Sequence, residues 1–250
     1  MLAGHFVQHL LARGLLSPTI DIAKRERSMQ TRGGLILLAT IGLMVLSSAV
    51  NAGSIWFEPT AYLSSADMPS DFAKMNPVIE DFEDGSADPM LNIYPGKILG
   101  PGHDSGIKDV TDSVDADDGP IDGSGGQGHS FFYALNEISV EFSDPVVAAG
   151  LVFTDGPQNM TLKLEAFDTD GSSIGDIAWD TTADEVYTGT TGEDRFVGLL
   201  SNDGVSKLVI SQSGGGMGIE IDHVTFAIPE PSTAGMLFIA AVILVCRRRR

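Results

Sequence analysis

The stretch Ile138–Phe153, ISVEFSDPVVAAGLVF, decides the class of fold. In its first part Ile138, Val140 and Phe142 alternate with polar residues, which is the pattern of a strand with one buried face. Its second part, Val146–Phe153, is continuously apolar, as expected for a strand that is buried on both faces. Both patterns predict β-structure at the centre of the chain.

The β pattern continues on both sides of this stretch. Short apolar or alternating runs are separated by turns rich in Gly and Asp. No segment between the two ends has the 3.6-residue apolar period of a helix. This arrangement predicts an all-β fold, an antiparallel β-sandwich. The further strands are predicted at Pro77–Phe82, Phe131–Tyr133, Leu162–Phe167, Ser172–Ile177, Phe196–Leu200, Lys207–Ser211 and Gly218–Phe226.

The last predicted strand changes its alternation part-way. Ile219 and Ile221 share one face, whereas Val224 and Phe226 share the opposite one. One extra residue near Asp222-His223 would restore the alignment, because a β-bulge adds a single residue to one strand of a pair. The sequence therefore predicts a bulge there, in a strand that is buried on both faces.

The N-terminal part of the chain predicts export. Gly33–Leu46 is mostly apolar, follows an arginine and leads to small residues that end at Ala52. This is the layout of a secretory signal peptide, so residues 29–52 are predicted to form a signal helix that signal peptidase cleaves after Ala52. Residues 1–28 fit an over-extended gene start ahead of Met29; a long n-region is the alternative.

Between the two ends the sequence predicts one domain. Residues 53–76 have scattered apolar positions and are expected to form an irregular lead-in, and residues 77–228 are expected to form the sandwich. Residues 100–129 are rich in Gly, Asp and Pro and predict a long loop, either functional or disordered. The single cysteine, Cys246, lies outside this domain, so no disulfide is expected within it.

The predicted mature segment, residues 53–231, is strongly acidic. It contains 32 of the 34 acidic residues of the chain and six cations, which gives a net charge of −26. Such a surface repels nucleic acid and anionic lipid, since binding to both depends on cations. A solvated acidic face of an exported or salt-adapted protein explains the charge; a specific store for divalent cations is the alternative. The six cations are Lys74, Lys97, Lys108, Lys163, Arg195 and Lys207.

The C-terminal segment, residues 229–250, has three parts in a fixed order. Pro-Glu-Pro-Ser-Thr is followed by the apolar run Ala234–Cys246 and then by four arginines. As a helix, the apolar run would span about 20 Å, which is short against a hydrocarbon core of ~30 Å. A marginal membrane anchor, with its arginines in the cytoplasm, is one interpretation.

The same segment resembles the PEP-CTERM sorting signal of Gram-negative bacteria. In that family an exosortase, a membrane cysteine transpeptidase, recognises the tail and removes it near the motif. The resemblance implies a short transmembrane helix, membrane contact only through the terminal segments, and a destination at the cell surface or in the extracellular matrix. The implied recognition residues are Pro229, Glu230 and Pro231, and the implied tail cations are Arg247, Arg248, Arg249 and Arg250.

A second resemblance concerns the domain itself. A strand that ends in Phe82-Glu83-Asp84-Gly85 and a closing strand Ile221–Phe226 are similar to jelly-roll sandwiches of the carbohydrate-binding-module type. In such modules a structural calcium often joins an acid of the first strand to one of the last. The resemblance implies a calcium site at Glu83 and Asp222, and extracellular polysaccharide as a partner.

Two further acidic stretches have the alternating carboxylates that calcium loops use. Asp115 and Asp117 lie in the long loop and form one candidate calcium site. Asp168–Gly171 has a similar composition, but its position between two predicted strands favours a plain hairpin turn. Neither stretch completes a twelve-residue loop with a closing glutamate.

The sequence favours a non-catalytic protein over an enzyme. Glu220-Ile221-Asp222 is similar to part of the Glu-x-Asp-x-Glu strand of laminarinase-type glycosidases, but Val224, or Thr225 after a bulge, stands where that family has its acid/base. We therefore expect an exported structural or adhesive β-sandwich that binds calcium or glycan. A secreted glycan-active enzyme is the alternative.

Overall fold

In the computed structural model, the described residues are 53–101, 111–156, 158–181, 189, 191–213 and 218–229. Ten strands lie within them: β1 Ser54–Ala61, β2 Val78–Glu80, β3 Leu91–Tyr94, β4 Lys97–Leu99, β5 Ser130–Tyr133, β6 Glu137–Asp155, β7 Thr161–Phe167, β8 Ser173–Asp180, β9 Arg195–Ser213 and β10 Ile219–Ala227. They form one continuous antiparallel hydrogen-bonded sheet in the order β4-β5-β10-β6-β9-β7-β8, with β1 on β9, β2 on β10 and β3 on β6. The all-β, antiparallel prediction is confirmed.

Two long strands turn this sheet into a sandwich. β6 and β9 each join two segments that were predicted as separate strands, and their pairing changes register between Glu141 and Val146. Pro145 lies in that interval and cannot donate a ladder hydrogen bond. Ile138, before the break, and Leu151, after it, belong to the same core cluster. The sheet therefore folds over on itself, and the β-sandwich prediction is confirmed.

The main core lies between the two layers. It is built from alternating aliphatic residues of β6, β7 and β9 together with the phenylalanines of neighbouring strands. All nine residues of β10 are buried, as predicted for a strand covered on both faces. A second, smaller cluster covers the other face of β6 and β9; its members are Tyr62, Met68, Phe72, Val114, Ala148, Val152, Phe196 and Ala227.

The predicted bulge in β10 is confirmed. Its register against β6 shifts between Asp222 and Thr225, and His223 has a φ of 43°. A bulge supplies the extra residue that realigns the strand. The two apolar pairs on either side of it consequently point into the same core: Ile219, Ile221, Val224 and Phe226.

The irregular lead-in predicted for residues 53–76 is wrong. Ser54–Ala61 forms β1 and pairs with β9, so the sheet begins before residue 77. The pairing shifts register between Phe57 and Thr60, and that irregularity hides the strand from a search for strict alternation. The chain then forms a 3-10 helix, Ser65–Asp67, and the four-residue helix α1, Ser70–Ala73.

The long loop predicted at 100–129 is only partly irregular. Residues 111–115 are buried, and Asp115–Asp117 forms a 3-10 helix. Two short strands upstream, β3 and β4, were not predicted as strands, because three or four residues are too few for a clear period. This part of the chain is packed onto the sandwich.

No helix of the described residues is long and apolar enough to cross a membrane. The predicted signal helix, with its cleavage at Ala52, and the predicted tail helix fall outside the described residues. Both remain predictions from the sequence.

Candidate functional site: buried acids under a cover loop

Residues 111–118, here called the cover loop, lie on the acidic part of β10. The backbone N–H of Asp112 donates to Glu220 Oε1 at 2.9 Å, and that of Val114 donates to Asp222 Oδ2 at 2.9 Å. Glu220 and Asp222, two residues apart on β10, thus bind the backbone amides of two loop residues that are also two apart. The carboxylates of β10 serve as acceptors that fix the loop to the sheet.

Burial makes both of these acids hard to ionise. Glu220 is 4 % exposed and Asp222 is fully buried. Desolvation raises the pKa of Glu220 to about 8, although hydrogen bonds from Ser130 and from the Asp112 N–H act in the opposite direction. Burial, followed by the charge of Asp117, raises the pKa of Asp222 well above its ordinary value. At neutral pH the protonated forms of Glu220 and Asp222 are therefore favoured, whereas the same side chains exposed to water would be ionised.

Asp222 is one member of the His223 group, which comprises Asp117, Asp222 and His223. Tyr62 Oη lies 3.1 Å from His223 Nδ1, and His223 Nε2 lies 2.9 Å from Asp117 Oδ2. Burial raises the pKa of Tyr62, so its hydroxyl stays protonated and donates. Assigned from this network, His223 carries its proton on Nε2 and donates it to Asp117.

The His223 group does not fit calcium. One atom from each of its three residues lies within 4.8 Å of the others, and one of those atoms is an imidazole nitrogen. Calcium takes six to eight oxygen ligands. Asp222 Oδ1 and Oδ2 already accept backbone N–H groups from His223 and Val114, and Asp117 already accepts from His223. Hydrogen bonds account for this group without a metal.

The other predicted calcium ligands are engaged in different contacts. Glu83 accepts a hydrogen bond from the His129 backbone N–H, and its Oε2 lies 3.3 Å from His129 Nδ1. Asp115 accepts from the N–H groups of Gly123 and Ser124, at 3.0 and 3.2 Å, and so closes the loop. The structure thus brings Asp117 and Asp222 together, whereas Glu83 is not part of their group.

Two buried aspartates that the sequence reasoning missed lie beside this network. Asp112 is 2 % exposed and Asp194 fully buried, and within the described part of the chain none of their four carboxylate oxygens has a hydrogen-bond partner. Burial, then the charge of Asp194, raises the pKa of Asp112 well above its ordinary value. Burial and the neighbouring Glu193 raise the pKa of Asp194 to about 9, against the lowering effect of Arg195. We call Asp112 and Asp194 the aspartate pair.

Segments distant in sequence build the surroundings of the aspartate pair. A β-carbon placed on Gly125 would lie 3.2 Å from Asp112 Oδ1 and 3.0 Å from Thr191 Cγ2, so the three residues adjoin. The backbone carbonyl of Asp194 accepts from Tyr62 N at 3.2 Å and from the Arg195 guanidinium at 2.7 Å. The only sequence signal for Asp194 was an acidic pair directly before a strand, which is common on protein surfaces.

The Asp168–Gly171 stretch is a plain hairpin turn, as its position predicted. Asp168 Oδ1 accepts from the backbone N–H groups of Asp170 and Ser172, both at 2.9 Å. These bonds are the usual way in which an aspartate stabilises its own turn. Beside the turn is an open cleft of about 320 Å³, lined in part by Phe167 and Lys207. Lys207 Nζ lies 4.6 Å from the centre of the Phe167 ring.

The two tryptophans form no exposed platform. Trp56 and Trp179 are both half-buried and pack against the main core. Of the predicted sorting motif, only Pro229 is described, and it is exposed; Glu230, Pro231 and the four tail arginines lie outside the described residues. The part of the chain that the structure describes therefore offers the buried acids as its most distinctive chemical feature.

Comparisons with known proteins add little to the description of this chain. No protein-family model matches the chain, and no curated protein matches it. One solved structure that matches is a carbohydrate-binding module in complex with β-1,4-galactotriose, with 15 % sequence identity and a TM-score of 0.33. The match covers 59 % of this chain and 94 % of that one. A similarity of this size identifies neither a family nor a ligand for this chain.

Proposed function

We propose that this protein is an exported, non-catalytic β-sandwich with a structural or adhesive role at the cell surface or in the extracellular matrix. The observation that carries the non-catalytic part is the cover loop on β10. Its backbone amides occupy Glu220 and Asp222, the two carboxylates that this chain shares with the glycosidase strand.

The chemistry of glycoside hydrolysis argues against the enzyme alternative. A retaining mechanism needs two carboxylates on either side of the scissile bond, one ionised as nucleophile and one protonated as acid. Here burial raises the pKa of both Glu220 and Asp222, so neither is favoured as an anion at neutral pH. Both side chains are also buried, which leaves a sugar no approach to them. Their role is to hold the cover loop.

Export and sorting rest on the two ends of the sequence. The apolar segment before Ala52 supports translocation and cleavage by signal peptidase. Pro229–Pro231, the apolar run and the terminal arginines support sorting by an exosortase, which would release the domain from its tail. Extracellular polysaccharide is the proposed partner at that destination, and the acidic surface favours solubility there.

Mass measurement of the protein from its native host tests the sorting proposal. The expected form begins at Gly53 and lacks Arg247–Arg250. Full-length protein that remains embedded in the inner membrane of exosortase-positive cells would contradict sorting and favour the plain anchor.

A polysaccharide screen tests the non-catalytic proposal. We expect the protein to bring about no turnover, and Glu220→Gln and Asp222→Asn to leave any polysaccharide binding unchanged. Turnover that either substitution abolishes would establish the glycan-active alternative instead.

A further inference from the structure

We propose that the aspartate pair, Asp112 and Asp194, binds a calcium ion that fastens the cover loop to the start of β9. The proposal goes beyond the function proposed above and does not depend on it. It rests on the position and the missing partners of these two side chains.

The first step is the lack of hydrogen-bond donors. All four carboxylate oxygens of the pair are buried, and none has a hydrogen-bond partner among the described residues. Buried polar groups in folded proteins are nearly always hydrogen-bonded, so each exception calls for a physical explanation. A bound cation satisfies such oxygens in the way that donors otherwise would.

The second step is that no cation among the described residues is paired with these oxygens. Arg195 is next to Asp194 in sequence, but its guanidinium donates to the backbone carbonyls of Gly192 and Asp194, at 3.2 and 2.7 Å. Among the described residues, the groups whose charges act on Asp112 are four acids: Asp194, Glu220, Asp155 and Glu193. Repulsion among them favours either protons or a metal ion.

The third step concerns the identity of the metal. The pair offers carboxylate oxygens alone, and Asp112 Oδ1 lies against the backbone of Gly125, which also adjoins Thr191. Hard cations prefer such ligands, and calcium tolerates the irregular geometry that loops provide. Backbone carbonyls and water commonly complete calcium sites of this kind. The nearby His223 group contains an imidazole and is already hydrogen-bonded, so it competes poorly for calcium.

The fourth step is the consequence for the fold. The Asp112 N–H is bound to Glu220 on β10, and the Asp194 carbonyl is bound to Tyr62 N. A cation between the two side chains would join the cover loop, β10 and the start of β9 at one point. In its absence the pair must take up protons to remain buried.

Calcium titration of the purified full chain, stripped with a chelator, tests the proposal. We expect one calcium per chain, and at least a tenfold weaker affinity in each of the isosteric variants Asp112→Asn and Asp194→Asn. Asp203→Asn, on an exposed position of β9, is the matched control and should bind calcium like the wild type. Absence of calcium binding, or unchanged binding in both variants, would overturn the proposal.

Two further measurements keep the test decisive if a variant folds poorly. Calcium binding to the wild type at pH 7 should displace protons from the carboxyls of Asp112 and Asp194. The number of protons released is measured from the dependence of the binding enthalpy on the buffer. Calcium held by exposed acids would release none, and that result would contradict the proposal. Loss of calcium in Asp222→Asn alone, with Asp112→Asn and Asp194→Asn unaffected, would place the ion in the His223 group and equally refute it.

Discussion

Raising the pH from 5 to 8 in the presence of a chelator should strongly destabilise this protein. Burial raises the pKa of Glu220 from 4.5 to about 8 and that of Asp194 from 3.8 to about 9. An acid whose pKa is raised by folding makes its full contribution to stability below its unfolded-state pKa. That contribution is lost as the pH rises toward the folded-state pKa, because the folded protein then holds more protons than the unfolded chain.

The size of this effect follows from the two shifts. Each pH unit between the unfolded and folded pKa removes about 1.4 kcal/mol per group, so pH 5 to 8 removes about 3 kcal/mol for Glu220 and about 4 kcal/mol for Asp194. For a domain of this size the sum corresponds to a fall in Tm of roughly 15–30 °C. Urea denaturation at a series of pH values measures the free energy of unfolding directly.

Glu220→Gln isolates one of the two contributions. Its amide oxygen can still accept from the Asp112 N–H and Ser130 Oγ, so the contacts to the cover loop are kept while the titration is removed. The pH dependence of this variant should be shallower by about 3 kcal/mol over the same range. The matched control Glu137→Gln, at an exposed position, should retain the wild-type slope. A stability that is flat or rises from pH 5 to 8 in chelator would refute the reasoning.

Three more predictions concern packing and the aspartate pair. Gly198→Ala should cost about 1–3 kcal/mol in urea denaturation or prevent folding, because its β-carbon would lie 2.7 Å from the Ala149 carbonyl oxygen. Gly192→Ala is the control: its β-carbon would have open space, so its stability should equal that of the wild type. Phe196→Ala should cost about 3–5 kcal/mol, since the fully buried ring packs on Tyr62 and Phe72. Ile121→Ala, at an exposed position, should change stability by less than about 0.5 kcal/mol, and equal losses in the two variants would contradict this packing. In thermal melts, saturating calcium should roughly halve the loss of stability from pH 5 to 8, because it would cancel the contribution of Asp194 and leave that of Glu220. Identical pH profiles in calcium and in chelator would argue against the site.

The sequence by itself determined the class of fold and the irregularity of its last strand. Alternation and apolar runs are local properties, so they predicted strands within β6, β7 and β9 without any tertiary information. The change of face between Ile221 and Val224 also predicted the bulge. Side chains alternate between the two faces of a strand, so one extra residue is the simplest way to bury Ile221 and Val224 on the same side. The predicted export signal and sorting tail likewise depend on local composition and order, and they remain predictions.

Only the tertiary structure decided how the acids are grouped. Asp112 and Asp194 are far apart in the chain, and each looks like one of many surface carboxylates in an acidic sequence. The folding-over of β6 and β9, and the packing of residues 111–118 on β10, bury both side chains and place Asp112 where the charge of Asp194 acts on it. Burial depends on the whole fold rather than on neighbours in sequence. The raised pKa values and the missing hydrogen-bond donors could therefore be recognised only once the chain had been placed in three dimensions.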